Sequence, residues 1–237
     1  MEYNTDIENL REALRQHSSE KTRQSAQHFF KESVRFYGVK SADIHKISKI
    51  HFKQIENPTK EKIFAMCEML WQSGLMEESI VACNWSYQMR KFYEPKDFYI
   101  FEKWINLYVT NWAACDTFCN HTVGTLIEKH PQFLKNLKSW AMSPNRWMRR
   151  AAAVSLIVPA KKGEFLPEIF EIANLLLLDT DDMVQKGYGW MLKVSCQHHE
   201  KKVFDFVMRN KKTMPRTALR YAIEKMPEEK RKKAMER

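Results

Sequence analysis

The chain is poor in glycine, with 6 in 237 residues, and has no Asn-Gly or Asp-Gly pair. That argues against folds built from tight hairpins and against glycine-rich phosphate cradles. Strict apolar–polar alternation is also missing, so strands are not expected. No apolar run approaches the roughly 18 residues that a membrane span requires. The first ten residues are acidic and polar, unlike a signal or transit peptide, so a cytoplasmic location is expected. Cysteine is scarce and odd in number, at 5, and no Cys-x-x-Cys occurs. Reduced thiols are expected and no metal site is. Cys115, Cys119 and His121 lack the spacing of a zinc knuckle, and the two cysteines fit one apolar helical face.

What the chain does carry is charge and helical periodicity. Lysine and arginine total 39 against 29 acids, a formal net charge of +10, and aromatics at 12% exclude disorder as the main state. Residues 211–237 hold ten basic side chains and four acids. Arg146, Arg149 and Arg150 form a second basic group. A basic chain without a membrane anchor points to a polyanionic partner, of which nucleic acid is the common one.

Apolar spacing predicts helices at 6–17, 22–37 (stopped by Gly38), 41–52 (capped by Ser41), 58–72 (closed by Gly74) and 75–91. One or two further pieces fall within 96–110. Beyond that point the pattern becomes regular. Asn111, Asn145 and Asp181 read as N-caps, and Thr213 or Pro215 as a fourth start, roughly 33–36 residues apart. Shorter helices at 131–142, 164–178 and 200–210 lie between them. A helix-pair period of this kind predicts an all-α solenoid, one domain over 1–237: N-terminal helices at 1–110, regular pairs at 111–226 and a basic segment at 227–237. A non-repeating helical bundle is the alternative.

One helix of each pair lines the concave side of a solenoid. The capped helices would gather Trp112, Asp116, Trp147, Arg149, Arg150, Lys186, Trp190, Arg216 and Arg220 there. Trp112 and Asp116, four apart, share a helical face. His198-His199 reads as a solvated pair. Gly187-Tyr188-Gly189 sits inside a helix and is no dinucleotide fingerprint; its small residues suit the close approach of a neighbour or ligand.

Three stretches occur in order: Asn111-Trp112-Ala113-Ala114-Cys115-Asp116, Trp147-Met148-Arg149-Arg150-Ala151-Ala152, and Val184-Gln185-Lys186-Gly187-Tyr188-Gly189-Trp190. With Phe36-Tyr37-Gly38-Val39 upstream, the chain resembles the bacterial DNA alkylation repair glycosylases of the AlkD family over about residues 29–226. The resemblance implies a HEAT-like repeat fold with a curved, basic concave face that clasps duplex DNA. It implies excision of positively charged N3- and N7-alkylated purines, without base flipping, strand cleavage or a cofactor. It implies Asp116 as the catalytic carboxylate and Trp112 and Trp190 as walls at the lesion's sugar. Arg150 would stand beside them. Phe29 would approach the lesion strand, and Lys40, Arg146, Arg149, Lys186, Arg216 and Arg220 would contact DNA. A monomer is expected, since a clamp needs no partner subunit. The competing expectation is a catalytically silent helical-repeat module that binds DNA through the same trough.

Overall fold

The computed structural model describes residues 4–236, and all regular elements among them are helical. In chain order these are α1 (Asn4–Gln16), α2 (Glu20–Gln27), α3 (Ser41–Gln54), α4 (Lys60–Gln72), α5 (Met76–Gln88), α6 (Asp97–Tyr108) and α7 (Trp112–Phe118). They continue as α8 (Gly124–Lys129), α9 (Leu134–Trp140), α10 (Arg146–Val154), α11 (Ile157–Lys161), α12 (Leu166–Leu175), α13 (Asp182–Asn210), α14 (Arg216–Ile223) and α15 (Glu228–Met235). The chain divides into two compact units, Met1–Phe118 and Cys119–Arg237.

In the N-terminal unit α5 packs between α3 and α7, with α4 behind it, α6 on α4 and α1 on α3. The core is aromatic. Trp71, Trp85, Trp104, Phe98, Phe101 and Phe118 are fully buried. Phe118 meets Trp71 edge-on at 5.5 Å and Phe101 at 5.4 Å, geometries that suit the ring quadrupoles. In the C-terminal unit α13 packs on α10, α11, α12 and α14. Its core is mostly aliphatic, built from residues such as Val154, Leu156, Ile172, Val184 and Leu192, with Trp140, Tyr188 and Phe206 also buried.

The helix starts expected from local chemistry are where the sequence puts them. Asn111 Oδ1 accepts from Ala114 N at 2.9 Å, Asn145 Oδ1 from Trp147 N at 2.9 Å, and Asp181 Oδ1 from Met183 N at 2.8 Å. Each removes an orphan donor from a helix terminus. Three expectations fail, the first for a tertiary reason. The helix over 22–37 stops at Gln27, because Glu77, on α5, draws the following chain away. Its carboxylate accepts from Tyr37 N at 3.0 Å, Gly38 N at 2.8 Å and Val39 N at 3.1 Å. Gly38, at φ +97°, supplies the left-handed turn this needs. Ser41 is the first residue of α3 rather than its cap, and α4 starts at Lys60 rather than at 58, capped by Thr59, which accepts from Lys62 N at 3.2 Å.

The helices expected at 181–190 and 200–210 are one, α13, kinked at His199 (φ −134°, ψ 35°). His198 and His199 are therefore not merely solvated. Their Nε2 atoms donate to the carbonyls of Lys161 and Gly163, each at 2.9 Å, and tie the kink to the end of α11. Gly189 lets α14 approach closely: a Cβ there would stand 2.8 Å from Ala218 O and 2.7 Å from Tyr221 Cβ.

Candidate nucleic-acid interface

The N-terminal unit presents Trp112 and Asp116 one turn apart on α7, both half-buried. The indole is fixed on two sides. Its Nε1 donates to Phe29 O at 3.3 Å, and its ring stacks on Phe30 at 5.4 Å with 24° between planes. Phe30 leans in turn on Phe36, at 5.7 Å. The expected contact residue Phe29 thus contributes its carbonyl to Trp112, while its own ring is 72% exposed. Phe30 and Phe36, which periodicity assigned to a helix, are the rings that wall this tryptophan. Just past Asp116 the backbone widens into a π-helical turn, Cys119–Val123, a local rearrangement common at functional sites.

Trp112 closes a cleft of about 400 Å³, also lined by Phe29, Phe30, Phe36, Lys40 and His45. Lys40, expected to contact DNA, stands exposed at the start of α3 and makes no ion pair among the described residues. The floor is held from α5. Beside Glu77, Glu78 accepts from Tyr37 Oη at 2.6 Å and from both Nε (3.1 Å) and Nη2 (3.0 Å) of Arg11. Burial, and the bond to Glu78, push the Tyr37 phenol well above its ordinary range. The loop between α2 and α3 is thereby clamped by two buried carboxylates on successive residues, and Phe30, Phe36 and Lys40 are carried with it.

The C-terminal unit holds the remaining candidates, and there Arg146, Arg149 and Lys186 are matched to acids. Arg146 grips Asp181 through Nε at 2.7 Å and Nη2 at 3.0 Å, and lies over the buried Trp147 ring at 4.9 Å. Arg149 grips Asp179 through Nε at 2.6 Å and Nη2 at 3.3 Å, and its Nη1 donates to Ser143 O at 3.0 Å. Lys186 meets Asp182 at 3.2 Å. Arg150 is only 5% exposed, and its Nη1 donates to Met183 O at the start of α13. Gly187 leaves room for it: a Cβ there would lie 3.3 Å from Arg150 Cγ. The small residue therefore admits a neighbouring side chain. Trp190 is half-buried one turn further along α13. Arg216 donates from Nη1 and Nη2 to Met235 O, both at 3.3 Å, at the end of α15, whereas Arg220 is exposed.

The aspartates escaped a reading of charge along the chain because the pairs span a helix-pair period. Arg146–Asp181, Arg149–Asp179 and Arg150–Met183 are 35, 30 and 33 residues apart.

Stacked helices with capped starts, arginines bridging successive pairs and no strand among the described residues define an all-α helical-repeat protein. The fold is that of a solved structure described as a predicted DNA alkylation repair enzyme from Enterococcus faecalis, with a TM-score of 0.79 over 90% of this chain and 98% of that one, at 17% identity. The family model described as DNA alkylation repair enzyme matches residues 10–226, and the chain belongs to that family. A role in alkylation repair, with DNA as partner, follows from that membership. No curated protein matches the chain. No helix among the described residues is long and apolar enough to cross a membrane.

Proposed function

We propose that the protein is a monofunctional DNA glycosylase, active as a monomer in the cytoplasm, that hydrolyses the N-glycosidic bond of cationic N3- and N7-alkylated purines in duplex DNA. The observation that carries this reading is the half-buried carboxylate of Asp116 one turn from Trp112, whose indole is fixed by Phe29 O and Phe30. Ordinary glycoside hydrolysis uses two carboxyl groups, one to protonate the leaving group. An alkylated purine already bears positive charge and departs as a neutral base, so one carboxylate suffices. Asp116 stabilises the oxocarbenium-like sugar and accepts a proton from the attacking water. The electron-rich faces of Trp112 and Trp190 favour the same cationic sugar, each by about 0.5–2 kcal/mol. Because the bound purine is already cationic and leaves neutral, the reaction needs no general acid and no cofactor, and excision without base flipping is part of the same reading. With no lysine amine in the mechanism, strand cleavage is not expected.

Arg150 is assigned a phosphate contact that sets register. Its anchorage on Met183 O and its packing over Gly187 support a fixed side chain in that role. Lys40, Arg146, Arg149, Lys186, Arg216 and Arg220 add salt-sensitive affinity that is independent of sequence.

The test is release of N7-methylguanine and N3-methyladenine from methylated duplex DNA, wild type beside Asp116→Asn. Release by the wild type, lost at least a hundredfold in the variant while duplex binding persists, is the expected result. Binding without release by either protein would identify a silent DNA-binding module instead.

A further inference from the structure

A second cleft of about 390 Å³ runs along the seam of α3 and α5 in the N-terminal unit. It continues the cleft at Trp112, for His45 lines both. The joined seam reaches from Ser41 to Lys53, twelve residues or about 18 Å of helix. Its two ends differ in chemistry. At the Trp112 end the walls are aromatic. At the other end the walls are Lys49 and Lys53 from α3 and the amides of Asn84 and Gln88 from α5, and no acid lines it among the described residues. Both lysines are exposed and have no ion-pair partner among the described residues.

The floor is rigid. Trp85 Nε1 donates to Ser48 O at 3.0 Å, and Phe52 packs on the same indole at 6.1 Å. Asn84 Nδ2 stands 3.1 Å from His45 Nδ1, which orients the amide across the seam. Arg90 lies over the Tyr87 ring at 4.5 Å, adding positive charge beside the open end. Lys53, in the last turn of α3, also offsets the helix dipole, but Lys49, a turn earlier, is too far from the terminus for that role to explain it. Lys49 and Lys53 are offset by about 6 Å along the axis, close to the rise of two phosphates on one strand at 3.4 Å each.

We propose that this basic half of the seam holds the phosphodiester backbone of undamaged duplex DNA flanking the lesion, with Lys49 and Lys53 on phosphates two steps apart on one strand and Gln88 donating to their oxygens. The inference rests on the DNA-repair reading but not on the excision chemistry, because it is tested on undamaged duplex. The experiment is fluorescence anisotropy of a short undamaged duplex over a salt series, with the full chain. In Lys49→Gln/Lys53→Gln affinity falls about tenfold or more, and the slope of log K against log salt falls by about 1.8, the share of two phosphates. Lys49→Arg/Lys53→Arg restores both. Affinity and slope equal to wild type in the Gln pair, or no rescue by the Arg pair, would overturn the proposal. Inorganic phosphate displaces the duplex no better than chloride at equal ionic strength; selective displacement by phosphate would reveal a free-anion site and also overturn it. A wild type that binds but does not excise would sink the glycosylase reading and leave this one standing.

Discussion

The two units use positive charge differently. At the helix starts of the C-terminal unit Arg146, Arg149 and Lys186 each have an aspartate, at 2.7, 2.6 and 3.2 Å. Along the seam of the N-terminal unit Lys40, Lys49 and Lys53 have none among the described residues. The clustering of basic residues along the sequence therefore overstates what Arg146, Arg149 and Lys186 offer a polyanion, since a phosphate there competes with a carboxylate already in place. It understates the N-terminal unit, whose few unpaired lysines keep their full attraction. Paired arginines hold one helix pair to the next; unpaired lysines are available to a ligand.

Arg150 is the sharpest test on the C-terminal side. Arg150→Ala removes a buried, charge-assisted bond to Met183 O and leaves a void over Gly187. A loss of about 2–4 kcal/mol in unfolding free energy is expected, with DNA binding and excision weakened together. Arg150→Met keeps the stem and removes the charge. Stability recovers in part while the binding defect remains, as urea titration beside a duplex-binding curve would record. Full binding by the Met variant would reduce Arg150 to a packing residue.

Asp179→Asn probes the pairing itself. Asp179 holds Arg149 and also accepts from Asp181 N at 2.9 Å, a bond that asparagine keeps. Stability falls by about 1 kcal/mol, because the pair is nearly buried and charge-assisted. Affinity for undamaged duplex rises severalfold at low salt, because Arg149 no longer has a competing carboxylate. A variant that loses stability without gaining affinity would show that Arg149 serves only the repeat.

These contrasts follow what was legible in the sequence. Asn111, Asn145 and Asp181 could be read because capping is local: one side-chain oxygen and an amide two or three residues on. The helical class and the Trp112–Asp116 spacing were legible for the same reason. The loop from Phe29 to Lys40 was not, because the carboxylate that shapes it, Glu77, lies 38–40 residues away and overrides a helical pattern. Nor was the neutralisation of Arg146 and Arg149, whose partners come from the next repeat. Glycines 187 and 189 announced a close approach, but not that Arg150 and α14 make it.

The smallest expected effect separates two adjacent rings in the N-terminal unit. Phe30 stacks on Trp112, whereas the exposed ring of Phe29 leaves its backbone carbonyl to do the holding. Phe30→Ala therefore costs about 0.5–1.5 kcal/mol of stacking and frees the indole to turn, so excision drops severalfold. In a chain of this size that is a fall of about 2–5 °C in melting temperature. Phe29→Ala keeps the carbonyl bond to Trp112 Nε1, so its melting temperature stays within about 1 °C of wild type. If that ring lies against the lesion strand, its loss is read in duplex affinity alone. Melting curves for both variants, beside single-turnover excision, decide which phenylalanine orients Trp112. Equal melting temperatures for the two would mean that the Phe30 stack does not hold the indole, and would leave the carbonyl bond as its main restraint.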